Sequence, residues 1–223
     1  MKTGFDVKCL LMILIFAATA YSSSRVSVGP VLDVNYMALD NMGGSPGFSV
    51  GGYFEYKFNE LFAIQSRISR ADKKVVEKWG VVYEVDGYLS DPYNQETTYE
   101  LSFIDVSLLL KVFAKSKNRA TLSLLIGPSY SKKLSEVQER DVFERSDFTN
   151  EYEKTGTRRR ETEYFNTGIF GISVGAQLDI DIPKGDLILF GIFTRGVNHA
   201  CEKWMTKSDS YVGQVGIGWI FGL

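Results

Sequence analysis

Apolar and polar residues alternate with a period of two along much of the chain, which marks a β-strand whose two faces meet unlike surroundings. In Phe165–Asp181, Phe170, Ile172, Val174, Ala176, Leu178 and Ile180 share one face. Gly171, Ser173, Gly175, Gln177, Asp179 and Asp181 share the other. Gly47–Phe58 sets Phe48, Val50, Phe54, Tyr56 and Phe58 against Ser49, Gly51, Tyr53, Glu55 and Lys57. Tyr99–Phe113 sets Ile104, Val106, Leu108, Leu110 and Val112 against Asp105, Ser107 and Lys111. Val26–Leu39, Leu61–Arg70 and Ala120–Ser131 follow the same rule. Asp186–Asn198 is apolar in both registers until Arg195, so its faces stay unassigned. With Ser210–Leu223 this predicts eight strands.

The connections form a second pattern. Asn59-Glu60, Lys115–Arg119 and Pro183–Gly185 are short, whereas Asn41–Pro46, Gly80–Thr98, Asp141–Tyr164 and Ala200–Asp209 are long and polar. Strict alternation of short and long connections is the asymmetry of a transmembrane barrel with tight periplasmic turns and long extracellular loops. The predicted fold is therefore all-β: an eight-stranded antiparallel transmembrane β-barrel.

The last strand carries the most specific motif. Tyr211, Val215, Ile217, Trp219, Phe221 and Leu223 alternate to the final residue, interrupted at Gly213. This resembles the C-terminal signal read by the outer-membrane assembly machinery, with Leu223 where an aromatic residue is usual. The pieces GGYFEYKFNELFAIQSRIS, FIDVSLLLKVFAK, SLLIGPSYS and LILFGIFTRGVNHA, in this order, resemble the outer-membrane β-barrel (porin-like, PorT-type) family of Gram-negative bacteria, with Ser107 where that family often has proline. The resemblance spans nearly the whole chain after its first segment and implies a small barrel like those of OmpA and OmpX. It implies little about activity.

A lipocalin-like soluble barrel would place the same faces inside out. The apolar faces carry no charge over their central stretches. Their aromatics gather at strand ends, with Tyr36, Phe48, Tyr130 and Tyr211 at one side and Phe58, Phe62, Trp219 and Phe221 at the other, as interfacial girdles do. The opposite faces hold Asp33, Glu55, Asp105 and Asp179 with Lys57, Arg67, Lys111 and, by extension, Arg195. Inside a narrow lumen these can pair, as buried charges must. Eight strands leave an interior that side chains fill, so an open diffusion pore is not expected. Ile217→Lys on the lipid face should block assembly, while Gly216→Ser beside it should be tolerated.

Composition changes this picture little. A net charge of −2 gives no basic field for nucleic acid. A mean hydropathy of −0.07 suits a barrel in which polar lumen residues offset apolar lipid-facing ones. The first residues add an address: Cys9–Ala20 is an apolar run behind Lys2 and Lys8 that ends in Ala18-Thr19-Ala20, which predicts a cleaved signal peptide over 1–20 and a barrel domain over 21–223. Cleavage would leave Cys201 as the remaining cysteine, so no intrachain disulfide framework is expected.

Candidate chemistry is sparse. His199 is the one histidine, placed at the outer end of the seventh strand beside Asn198 and Cys201. A rim-located lipid-modifying enzyme would have to use it, but Ser208, Asp209 and Ser210 are ordinary loop residues, and a loop histidine without chemical role is the favoured reading. No metal spacing, phosphate-cradling loop or carboxylate pair stands out, so no catalytic, cofactor or metal residue is assigned. Arg158-Arg159-Arg160 could meet lipopolysaccharide phosphates, but Glu144, Asp147, Glu151, Glu153, Glu161 and Glu163 surround it and favour a self-paired loop. The leading expectation is a monomeric, non-enzymatic outer-membrane barrel with a filled lumen and a structural or interaction role, in surface adhesion or envelope integrity, that contacts lipid and lipopolysaccharide, with loops open to a protein partner. An accessory part of a secretion or assembly system is the alternative.

Overall fold

The computed structural model describes residues 26–40, 42–81, 84–85, 88–89, 93–114, 119–145, 152–183, 185–201 and 208–223. The leader expected at 1–20 and the chain start near Tyr21 lie outside them. The elements are β1 (Val26–Leu39), β2 (Gly43–Lys57), β3 (Phe62–Val81), β4 (Glu84–Val85), β5 (Tyr88–Leu89), β6 (Tyr93–Phe113), β7 (Ala120–Arg145), β8 (Tyr152–Glu161), β9 (Gly168–Ile182), β10 (Gly185–Gly196) and β11 (Ser210–Gly222). Eight of these close an antiparallel barrel in the order β6-β3-β2-β1-β11-β10-β9-β7, and β7 pairs back to β6. The first and last barrel strands meet, with Val34 opposite Val215. Closure leaves no sheet edge in the hydrocarbon, where an unpaired backbone group has no water to turn to.

The inner turns are tight for local reasons. Asn59 Oδ1 accepts from the backbone N–H of Leu61 at 2.8 Å and of Phe62 at 2.9 Å, folding the β2–β3 turn around one side chain. Gly185, at the β9–β10 turn, has a φ of 136°, a conformation open to glycine and strained for other residues.

Alternation sorts the faces as expected. Leu32, Val34, Phe48, Val50, Leu124, Ile172, Val215 and Ile217 are exposed on the outer wall, while Asp33, Asn35, Ser49, Glu55, Gln65, Arg67, Lys111 and Gln177 are buried inside. The aromatics of both girdles lie on the outer face. The ambiguous strand is settled by its neighbour: Ile188, Phe190 and Ile192 point inward, where β11 offers Gly216 and Gly218 opposite Phe190 and Ile188. A Cβ on Gly216 would strike the Phe190 ring, and one on Gly218 would sit 2.9 Å from Ile188 Cδ1. The bulk on β10 is accommodated by the missing side chains on β11.

This register overturns one placement. Arg195 faces outward at the outer rim, 3.4 Å from Asp209 and 5.9 Å from the Tyr211 ring centroid, and is no lumen charge. Three of the long connections also prove to be largely strand. β2 begins at Gly43, where Asn41–Pro46 reads as loop. β3 runs on to Val81 and β6 begins at Tyr93, where Gly80–Thr98 reads as loop. β7 runs to Arg145 and pairs with β8, where Asp141–Tyr164 reads as loop. Above the apolar band the faces exchange character: Asp72, Lys74 and Glu100 point outward while Val75, Tyr99 and Leu101 are buried inside, so alternation no longer marks a lipid-facing strand although the strands continue.

Candidate functional site

The lumen is closed in two layers. The lower one is ionic: Lys111 Nζ lies 2.8 Å from Glu55 and 2.7 Å from Asp179, all three being largely buried. Tyr53 donates its hydroxyl to Glu55, and Gln177 Nε2 donates to Asp179 at 2.5 Å. Arg67 donates to Gln177 Oε1 at 2.9 Å and stacks 3.6 Å from the centroid of Phe190. Higher up, Lys73 pairs with Asp105 at 2.7 Å, and Asn35 donates to Ser49, which donates to Asp33. Lys73 escapes the sequence reading because β3 reads as ending at Arg70. A cavity of about 40 Å³ among Asp33, Arg67, Lys73 and Asp105 has room for water. Lys57, expected inside, sits exposed at the inner mouth with its ammonium 4.7 Å from the Phe113 ring. That mouth is open, a recess of about 380 Å³ lined by Glu55, Lys57, Lys111, Arg119, Asp179 and Asp186.

The upper layer is apolar. Met37, Leu39, Val75, Tyr99, Leu101, Phe103, Phe165, Ile169 and Val212 are buried together under the outer mouth, with Met42 and Tyr164 packed on them. The chain between β8 and β9 lies across this plug, held by a β-bridge from Phe165 to Cys201 and by Asn166 N–H to the Ala200 carbonyl at 2.8 Å. Glu136 on β7 fastens it. Its carboxylate accepts from Lys133 at 2.6 Å, Thr162 Oγ1 at 2.7 Å, Tyr164 N–H at 2.8 Å and Phe165 N–H at 3.0 Å. Burial would push the Glu136 carboxyl up, but these four donors outweigh it and hold it below the ordinary carboxylate range. Sequence alone offers no pattern for Glu136, because three of its four donors, from Thr162, Tyr164 and Phe165, lie far along the chain.

Above the mouth, β3, β6, β7 and β8 continue as a raised sheet. Lys74 pairs with Glu100 at 2.9 Å across β3 and β6, and Arg159 of β8 reaches the same carboxylate at 2.8 Å. Arg160 donates to Gln138 at 2.6 Å and to Tyr164 Oη at 2.9 Å. The arginine run is therefore tied to neighbouring strands at two of its three positions, rather than to the acids of its own loop. Of those acids, the side chains of Glu144, Asp147, Glu151 and Glu153 lie outside the described ones. Arg158 is exposed. Among the described residues β8 pairs with β7 alone, which leaves its second backbone edge open.

His199 lies at the rim with Nδ1 3.3 Å from Asp209 Oδ1, half-exposed. Its backbone carbonyl accepts from Asn166 Nδ2 at 2.6 Å. Of the loop residues beside it, Ser208 is buried and its carbonyl accepts from Ala200 N–H, so it closes a turn. No group of metal-ligating side chains occurs among the described residues.

The comparisons fit this architecture. The chain is similar to Neisserial surface protein A, at 13% identity and a TM-score of 0.51 over 90% of this chain and 98% of that one. It is also similar to OprG of Pseudomonas aeruginosa, at 9% identity and a TM-score of 0.46 over 89% and 96%, and to Ail of Yersinia pestis, at 9% and 0.39 over 88% and 99%. At 13% identity the likeness to the Neisserial protein is one of fold. A search of curated protein sequences gave no match. The family model described as outer membrane protein beta-barrel domain matches residues 13–202. With its lipid-facing wall, two aromatic girdles and lumen filled by side chains, the chain belongs to this family of outer-membrane β-barrels.

Proposed function

We propose that the protein is a sealed, non-enzymatic interaction barrel that holds the raised sheet of β3, β6, β7 and β8 above the outer membrane for contact with a partner. The observation that carries this reading is the sheet itself, with an edge on β8 that is open among the described residues. An unpaired strand edge offers a row of backbone donors and acceptors to an extended chain, and Arg158 adds a charge beside it. The two lumen layers support a role other than diffusion. The His199–Asp209 pair supports a rim contact, since no nucleophile is seen in contact with it among the described residues. Export through a leader at 1–20, recognition of Ser210–Leu223 by the assembly machinery, and a monomeric state complete the proposal.

The test shortens the hairpin. Val137 and Glu161 face each other across β7 and β8, so an Asn-Gly turn can replace 138–160 between them. A strain lacking the gene is complemented with each form, and surface attachment and envelope permeability are measured. The shortened form should reach the membrane and restore the barrier but not attachment. If it restores every deletion phenotype, the raised sheet is not the functional surface.

A further inference from the structure

Above the apolar band of the outer wall, the first charged outward residue is a cation on three strands: Arg70 on β3, Lys132 on β7 and Arg195 on β10. Acids on this face lie higher, at Asp72 and Glu100 on the same side of the barrel. Those acids are engaged, Asp72 by the Ser102 hydroxyl at 2.7 Å and Glu100 by Lys74 and Arg159. Arg195 has Asp209. Arg70 and Lys132 are exposed, and among the described residues no carboxylate lies within ion-pair reach of either.

The register places these two cations together. Arg70 is opposite Ile104, and Ile104 is opposite Lys132. They stand two strands apart, about 10 Å between backbones, with an exposed isoleucine between them. Directly below Lys132 on β7, the Tyr130 ring packs 4.7 Å from Phe170 and marks the upper aromatic girdle. The cations therefore sit where hydrocarbon gives way to headgroups, on the side facing the outer leaflet.

We propose that Arg70, Ile104 and Lys132 form a binding site for the phosphorylated headgroup of lipid A, with its phosphates on the two cations and an acyl chain against Ile104. A guanidinium matches phosphate geometry with paired N–H donors, and an ammonium adds a point charge. The position selects the ligand: a soluble anion gains nothing from the apolar residue between the charges, whereas a lipid uses both. The site rests on the outer-membrane location and is independent of the raised sheet's proposed role.

Native mass spectrometry of the detergent-purified barrel measures retention of bisphosphorylated lipid A, dephosphorylated lipid A and phosphatidylglycerol. The native chain should retain the bisphosphorylated form most strongly. Arg70→Gln with Lys132→Gln should weaken that retention roughly tenfold or more and leave the dephosphorylated form unchanged, while Lys57→Gln at the inner mouth should change neither. Both exposed glutamines leave the fold intact, which heat-dependent gel mobility checks. Equal retention by the native and doubly substituted chains would overturn the site. So would an equal loss for phosphatidylglycerol, which would show a general anionic surface without selection for lipid A.

Discussion

The cost of a side chain in this wall depends on which way its Cα–Cβ bond points. Ile217 points into lipid near mid-strand, so Ile217→Lys puts a charge into hydrocarbon at a cost of about 2–4 kcal/mol near the midplane. Gly213→Ala, also on the outer face, should be nearly neutral, because a Cβ there meets nothing within 4 Å. Folded yield in lipid vesicles should fall sharply for the first and hold for the second. Equal yields would mean the faces are reversed. Gly216 is not the tolerant position that its small lumen-facing neighbours suggest. A Cβ there meets the Phe190 ring, the Leu32 carbonyl and the Asp33 side chain, so glycine is required to fit the bulk on β10. Alternation tells which face Gly216 occupies, but not what stands across from it.

At the scale of elements, the strands that cross lipid are legible because the bilayer demands an apolar residue at every second position. Val26–Leu39 reads with the bounds that β1 has. The same signal fails above the girdle, where Lys74 faces Glu100 and β8 carries three arginines, since no lipid there requires an apolar outer face. The latch at Glu136 joins elements for the same reason invisibly. Its carboxyl titrates below the ordinary value of 4.5, so the latch is fully stabilising above that pH and loses its contribution as pH falls through the lower folded value. Hydrogen exchange at the Tyr164 and Phe165 amides, corrected for intrinsic rates, should show protection near neutrality that declines below about pH 4.5. Glu136→Gln should lose it at neutral pH, by about 1.5–3 kcal/mol of opening free energy. Protection independent of both pH and Glu136 would show that the bridge to Cys201 holds this segment unaided.

For the whole molecule, two dissimilar layers in series mean that damage to one does not open the barrel. The lower layer turns on Lys111, which serves both Glu55 and Asp179. Lys111→Met leaves two buried carboxylates without their cation and should destabilise the barrel by about 3–5 kcal/mol, the usual effect of removing one partner from a buried ion pair. Urea unfolding in lipid vesicles measures it. The apolar layer of Met37, Leu101, Phe103 and Phe165 is untouched by that change and still excludes hydrated ions from the outer mouth. In a planar bilayer the native barrel should therefore show no steady conductance, and Lys111→Met should stay closed despite its lower stability. Conductance should appear when the plug is thinned as well, by Phe103→Ala with Lys111→Met. A steady open level from the native protein would contradict a sealed lumen. Opening by Lys111→Met alone would place the whole barrier in the ionic layer, leaving the apolar plug to hold the mouth's shape rather than to block ions.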